Sequence, residues 1–224
     1  MDNLVKEDVL SKNQNIIVSN NVSKGYIVTK RYIDILGATF GLAVLSLLFI
    51  LIAICIKFED PKGKIFFKQK RIGINGKEFY MYKFRSMSSD AEEKLKELLK
   101  YNEVQGAMFK MKDDPRVTKI GKFIRKTSID ELPQLYNVLR GEMSLVGPRP
   151  PLPREVSEYT SYDKQRLLVV PGCTGLWQVS GRSNIGFNEM VELDLKYIAG
   201  RSLLNDFLII IKTVRLLFGS KDAF

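Results

Sequence analysis

A run of 22 residues without a single charge, Ile35 to Ile56 (ILGATFGLAVLSLLFILIAICI), limits what this chain can fold into. As a helix it measures roughly 33 Å at about 1.5 Å per residue, enough to cross the hydrocarbon core of a bilayer. Soluble cores rarely hide so long an apolar helix, so the run predicts membrane contact. Its flanks are basic on both sides, with Lys30 and Arg31 before it and Lys57, Lys62 and Lys64 after it. Charge therefore selects no orientation. A helix that enters and returns to the same face satisfies both flanks, and this re-entrant form is the expectation. The run starts too late for a signal peptide, and no small-residue cleavage site follows it.

Three segments result: a polar lead-in over 1–29, a membrane helix over 30–58 and a globular domain over 59–224. The chain carries 35 Lys and Arg against 25 Asp and Glu, a net charge of +10. That surplus suits nucleic acid, anionic lipid or phosphorylated substrates. The apolar run shifts the balance toward the last two, and no nucleic-acid recognition motif is present. Histidine is absent, which removes the commonest general base and any His-based metal site. Cys55 and Cys173 form neither a zinc pattern nor a disulfide framework. Chemistry must rest on carboxylates, Lys, Arg, hydroxyls or a hard metal ion.

Local patterns give the elements. Asn75-Gly76 between KIFFKQKRIG and KEFYMYKFRSM predicts a β-hairpin. Ser89 with Glu92 has capping-box spacing and opens a charged helix to about Leu99. The second half of PRVTKIGKFIRKTS reads as helix. Pro133 fits a first turn and Gly141 a helix end, which bounds a short helix from Gln134 to Arg140. SLVGPRPPLP is a stiff proline loop. Arg154 to Val169 reads as helix, GLWQVSGRS as strand then loop, and Asn188 to Ala199 as helix. Leu204, Phe207, Leu208, Ile211, Val214 and Phe218 share one face of a closing helix. That face can enter the core, or lie in a membrane interface with Lys212 and Arg215 toward headgroups.

Four places can do chemistry. Asp130-Glu131 stands at a helix entrance with Lys119, Lys122, Arg125 and Lys126 upstream and Arg140 and Arg149 downstream. Spacing alone favours plain capping, since Ser128 and Glu131 have the capping-box interval. The ring of cations favours phosphate, with a carboxylate to hold Mg²⁺ or to attack phosphorus. Gly147-Pro148-Arg149-Pro150 offers a rigid mount for Arg149, whose planar fork suits phosphate oxygens. Lys83-Phe84-Arg85 ends a strand. Gln178 and Arg182 flank a Gly-containing turn after Trp177. Each of the last three also reads as ordinary loop, strand tail or core.

In this order the motifs resemble the bacterial sugar transferases, the monotopic polyprenyl-phosphate phosphoglycosyl transferases. The resemblance rests on KRYIDILGA, FFKQKRIG, FYMYKFRSM, RKTSIDELPQLYNVLRGEMSLVGPRP, PGCTGLWQVSGR and ELDLKYI, and covers about residues 30 to 218. It implies an α+β catalytic domain, mainly helical with a short hairpin or sheet, behind a re-entrant helix. It implies transfer of a hexose-1-phosphate from a UDP-sugar to undecaprenyl phosphate with release of UMP, starting exopolysaccharide, capsule or O-antigen repeats. By the same resemblance Asp130 is the nucleophile, forming a phosphosugar-enzyme intermediate, and Glu131 assists it. Mg²⁺ is the cofactor at this pair. Lys83, Arg125 and Arg149 bind phosphate, with Arg85, Gln178 and Arg182 in the matching motifs. The implied location is the bacterial cytoplasmic membrane, with the domain on its cytoplasmic face. A minimal form is implied, without the N-terminal multi-helix region of some relatives. Many relatives carry Ser-Pro in mid-helix, whereas here Ser46 precedes Leu47 and no proline specifies the bend. The motifs do not select the sugar, and a homodimer is compatible with them. The rival readings are a nucleotide-sugar glycosyltransferase that releases UDP and a non-enzymatic membrane adaptor.

Overall fold

Asn75 and Gly76 both hold positive φ, 54° and 77°, the requirement of a tight hairpin turn whose twist matches its strands. They join β1 (Phe66–Ile72) to β2 (Glu78–Phe84) in antiparallel register, with Phe66 opposite Phe84 and Ile72 opposite Glu78. A computed structural model describes residues 22–98, 100, 111, 113–181 and 185–219. Most of the lead-in and Arg182 lie outside the described residues. The α+β class holds: eight α-helices, two small sheets and short 3₁₀ turns are described.

The apolar run is not one straight helix. α1 (Lys24–Val44) and α2 (Ser46–Glu59) meet at Leu45 with a bend of 59°. Among the described residues, no single helix is long and apolar enough to cross a membrane, but this bent pair passes that test of length and composition. The break forms without proline. Ser46 Oγ donates to the Ala43 carbonyl at 2.8 Å, so the hydroxyl satisfies an acceptor at the break.

Beyond the hairpin come α3 (Ala91–Leu98), α4 (Lys119–Lys126) and α5 (Gln134–Arg140). Thr118 caps α4 by accepting from Gly121 N–H at 2.9 Å. Gly141, at φ 78°, ends α5 as the sequence predicts. β3 (Ser144–Val146) lies parallel to β4 (Gly172–Thr174). The expected strand is thus Gly-Cys-Thr, and Leu176 to Gly181 form turns. The expected helix over Arg154–Val169 is two pieces, α6 (Pro153–Ser157) and a 3₁₀ segment, Asp163–Leu168. Thr160 breaks it: its N–H and hydroxyl both reach Asp163 Oδ2, at 2.9 and 2.8 Å, an alternative to helical bonding that Thr and Asp often supply. α7 (Phe187–Ala199) and α8 (Leu203–Gly219) complete the fold.

Three apolar clusters organise these parts. One joins β3, α7 and α8 through Val146, Val191, Leu195, Ile198 and Ile209. A second packs Ala38 of α1 on Phe79, Met81, Val138 and Met143. The third packs Ile52 and Ile56 of α2 on Phe84 and Ile124. Asp206 ties the first helix to the last, accepting from Tyr26 Oη, Lys30 Nζ and Tyr197 Oη at 3.0, 2.8 and 2.8 Å. The predicted apolar face of α8 is turned outward: Leu204, Phe207, Leu208 and Val214 are exposed.

Candidate active site

Ser128 stands in the left-handed region at φ 56°, immediately after α4. A non-glycine residue there costs of order 1 kcal/mol, a strain often found at functional sites. It makes no side-chain cap, which removes the capping-box reading of Ser128 and Glu131. The chain instead folds Ile129–Glu131 into one 3₁₀ turn. Ile129 packs on the cluster of Ile124 and Phe84, so its two successors are placed from below by an apolar anchor.

The paired carboxylates then meet different surroundings. Asp130 is only 8% exposed. Among the described residues, no other residue donates a hydrogen bond to its carboxylate. Burial pushes that carboxyl up to about 6, against the lowering pull of Lys83, with the Glu131 charge adding to the rise and Arg125 opposing it. Glu131 is exposed and accepts from Lys83 Nζ at 2.6 Å. Desolvation would raise it, but Lys83, followed by Arg149 and Arg71, outweighs that and holds it below the usual glutamate range. Neighbouring acids pushed in opposite directions are a recurrent source of distinct catalytic roles.

Each remaining candidate has a clear place. Lys83 projects from β2 to Glu131. Arg125 lies exposed on the last turn of α4, and its charge acts on Asp130. Arg149 sits on the proline loop with its guanidinium 5.8 Å from the Trp177 ring centroid, within stacking range. That loop is rigidly mounted: Gly147 N–H donates to Thr174 O and Gly172 N–H to Pro148 O, both at 2.8 Å. A Cβ on Gly147 would come within 2.7 Å of the Val170 carbonyl, so glycine is required for this approach. Gln178 is half-buried, its Oε1 without a partner. Arg85 is elsewhere engaged: it pairs with Asp60 Oδ2 at 2.8 Å and donates to the Asp60 carbonyl at 3.1 Å. The structure thus gathers Asp130, Glu131, Lys83, Arg125 and Arg149 by contact or charge, and assigns Arg85 to the exit of α2.

The family described as bacterial sugar transferase matches residues 25–220. The chain belongs to that family. It is 52% identical over 191 residues to the galactosyl transferase CpsE of Streptococcus agalactiae serotype III, covering 85% of this chain and 42% of that one. It is 44% identical over 191 residues to the exopolysaccharide production protein ExoY of Sinorhizobium fredii, covering 84% of each. It is 41% identical over 212 residues to the undecaprenyl-phosphate galactose phosphotransferase of Salmonella typhimurium, covering 92% of this chain and 44% of that one. The chain spans under half of the first and third of these relatives.

One residue of this family member escaped sequence reasoning. Arg71 is 5% exposed, donates to Pro150 O at 2.9 Å and to Gln69 Oε1 at 2.7 Å, and leaves Nε without a partner. Burial, with Arg149 second, pushes its guanidinium down to about 10. The signal was present: register sets Gln69 and Arg71 opposite Met81 and Phe79, the core-facing positions of β2. A divalent ion also fits the residues present, in a limited way. Among the described residues, no group of three His, Cys, Asp or Glu could enclose one. Asp130 and the free oxygen of Glu131 suit a cation such as Mg²⁺ that takes its other ligands from phosphate and water.

Proposed function

We propose that this protein transfers a sugar-1-phosphate from a UDP-sugar to undecaprenyl phosphate and releases UMP. The observation that carries this reading is the geometry of the pair in a chain of this family: a buried Asp130 beside a Glu131 that accepts from Lys83 Nζ at 2.6 Å. Once ionised, such an aspartate is a more basic and stronger nucleophile than an ordinary one. Asp130 attacks the sugar-bearing phosphorus; an Asp130–phosphorus bond forms, the phosphorus–bridging-oxygen bond breaks, and UMP leaves with that oxygen. An oxygen of undecaprenyl phosphate then attacks the same phosphorus and regenerates the carboxylate. Lys83, Arg125 and Arg149 offset the negative charge that two anions bring together. Bound Mg²⁺ would supply further charge neutralisation at the diphosphate.

A lipid acceptor requires a site at a bilayer surface. Leu36, Phe40, Leu47 and Phe58 on the bent pair are 66–84% exposed, and the exposed face of α8 adds Leu204 and Phe207. Patches of this kind mark an apolar partner, which we propose is the cytoplasmic membrane. The test is product analysis: protein in detergent with Mg²⁺, undecaprenyl phosphate and a panel of UDP-sugars. UMP release supports the proposal; UDP release overturns it in favour of a direct glycosyl transfer, and no nucleotide release in any arm in favour of an adaptor. In the same assay Lys83→Met should lower turnover by about 10²-fold and Lys83→Arg recover part of it. Arg149→Ala should raise KM for the UDP-sugar by roughly tenfold or more, the loss of a charged phosphate contact.

A further inference from the structure

The helices on either side of the carboxylate pair are fastened to different halves of the bent helix. α4 belongs to α2. Glu59, the last residue of α2, accepts from the N–H groups of Lys119 and Ile120 at 2.6 and 3.0 Å, capping α4 from outside its own segment. Ile124 of α4 packs with Ile52 and Ile56. α5 belongs to α1. Arg31 donates to the carbonyls of Val138 and Leu139 at 2.6 and 2.8 Å, satisfying the C-terminal turn. Val138 packs with Ala38, and a Cβ on Gly41 would lie 3.0 Å from Leu135 Cδ1. Asp34 extends the grip to β3, accepting from Ser144 Oγ at 3.0 Å and Leu145 N–H at 2.9 Å.

Asp130 and Glu131 lie in the short connector from α4 to α5, between left-handed Ser128 and Pro133. So short a segment has little slack. Lys83 lies between the same two grips. Asn137 of α5 holds Tyr82 N–H at 3.0 Å and the Tyr80 carbonyl at 2.7 Å. Phe84 and Arg85 are held by α2 and the residue after it: Phe84 packs on Phe49 with ring centroids 5.1 Å apart, and Arg85 pairs with Asp60.

We propose that the bend at Leu45 is a template for the active site: the angle between α1 and α2 sets the placement of α4 against α5, and so the geometry of the connector and its contact with Lys83. Arg31 and Glu59 are its positioning residues. The catalytic consequence rests on the transferase reading; the geometric one does not. Loosening the joint should cost turnover more than substrate binding, because misplacement by about 1 Å can cost on the order of 10²-fold in rate.

The test uses the full chain in nanodiscs, with Cys55→Ala and Cys173→Ala and spin labels at Lys122→Cys on α4 and Tyr136→Cys on α5. Both sites are exposed. Leu45→Gly with Ser46→Gly supplies a loose joint. The label-to-label distance distribution should broaden or shift, and kcat for UMP release should fall by about 10- to 100-fold with KM changed less than about threefold. Arg31→Ala and Glu59→Ala should each lower kcat, Arg31→Lys should restore part of it, and the double variant should lose little more than the worse single, since both release one angle. An unchanged distribution, or a changed one with kcat within about twofold of the parent, overturns the proposal. Absence of UMP from the parent itself overturns the transferase reading, and the distance measurement then decides the template alone.

Discussion

Replacing Asp130 by Asn is expected to lower UMP release by at least on the order of 10³-fold while making the protein more stable. Both effects come from one cause. Burial costs the ionised carboxylate free energy, and the pair chemistry needs that ionised form. The folded-state pKa of about 6 lies above the ordinary 3.8. Between those values the folded state binds more protons than the unfolded one, so stability falls as pH rises from about 4 through 6. The penalty is fully present above pH 6 and absent below about 4. In EDTA at pH 7.5, Asp130→Asn should therefore be more stable by on the order of 1–3 kcal/mol, and its Tm should be higher. At pH 4 the gain should vanish. Added Mg²⁺ should narrow the difference by favouring the parent's carboxylate. Thermal unfolding at the two pH values checks the sign, and a variant less stable than the parent at pH 7.5 would count against the burial argument.

The second large effect concerns the fold beneath the proline loop. Arg166 and Asp194 form an ion pair whose side chains are each 1% exposed. Arg166 also donates to Tyr159 Oη at 2.8 Å, and at 3.5 Å to the Arg149 carbonyl. Removing one partner leaves a buried charge alone, which costs about 3–5 kcal/mol. Asp194→Ala should lose that much stability, a large share of what holds an ordinary domain folded. Arg166→Met with Asp194→Leu removes both charges and should recover most of it. Denaturant unfolding of the three proteins decides the matter. Equal loss in the single and double variants would show that shape, not charge, governs this site.

Local chemistry made much of the architecture legible. Asn75-Gly76 announced the hairpin, and Pro133 and Gly141 bounded α5 at both ends. The helical spacing of its apolar residues located α8, and the segments read as helix overlap α4 and α7. What stayed hidden depends on partners remote in the chain. Two short parallel strands pair across 28 residues, and no local pattern in Gly-Cys-Thr reports that. Arg85 belongs to a motif beside Lys83, yet its partner Asp60 lies at the end of another helix. Asp34 precedes an apolar run and looks like its border; it is a buried acceptor for β3. Residues 154–169 misled because Thr160 and Asp163 bond each other instead of continuing a helix. The site divides the same way. The carboxylate pair and its cations stand out by composition, while the opposite shifts of Asp130 and Glu131 depend on burial and on Lys83, which only the fold brings together.

The central claim is a covalent step at Asp130, and trapping that step tests it most directly. The protein is incubated with Mg²⁺ and its UDP-sugar in the absence of undecaprenyl phosphate, then treated with hydroxylamine. An acyl phosphate would become a hydroxamate. Mass spectrometry of the tryptic peptide Thr127–Arg140, which carries both acids, should locate the hydroxamate on Asp130, with UMP released in equal amount. Unmodified peptide in a preparation that turns over once acceptor is added, or a modification confined to Glu131, would contradict the account.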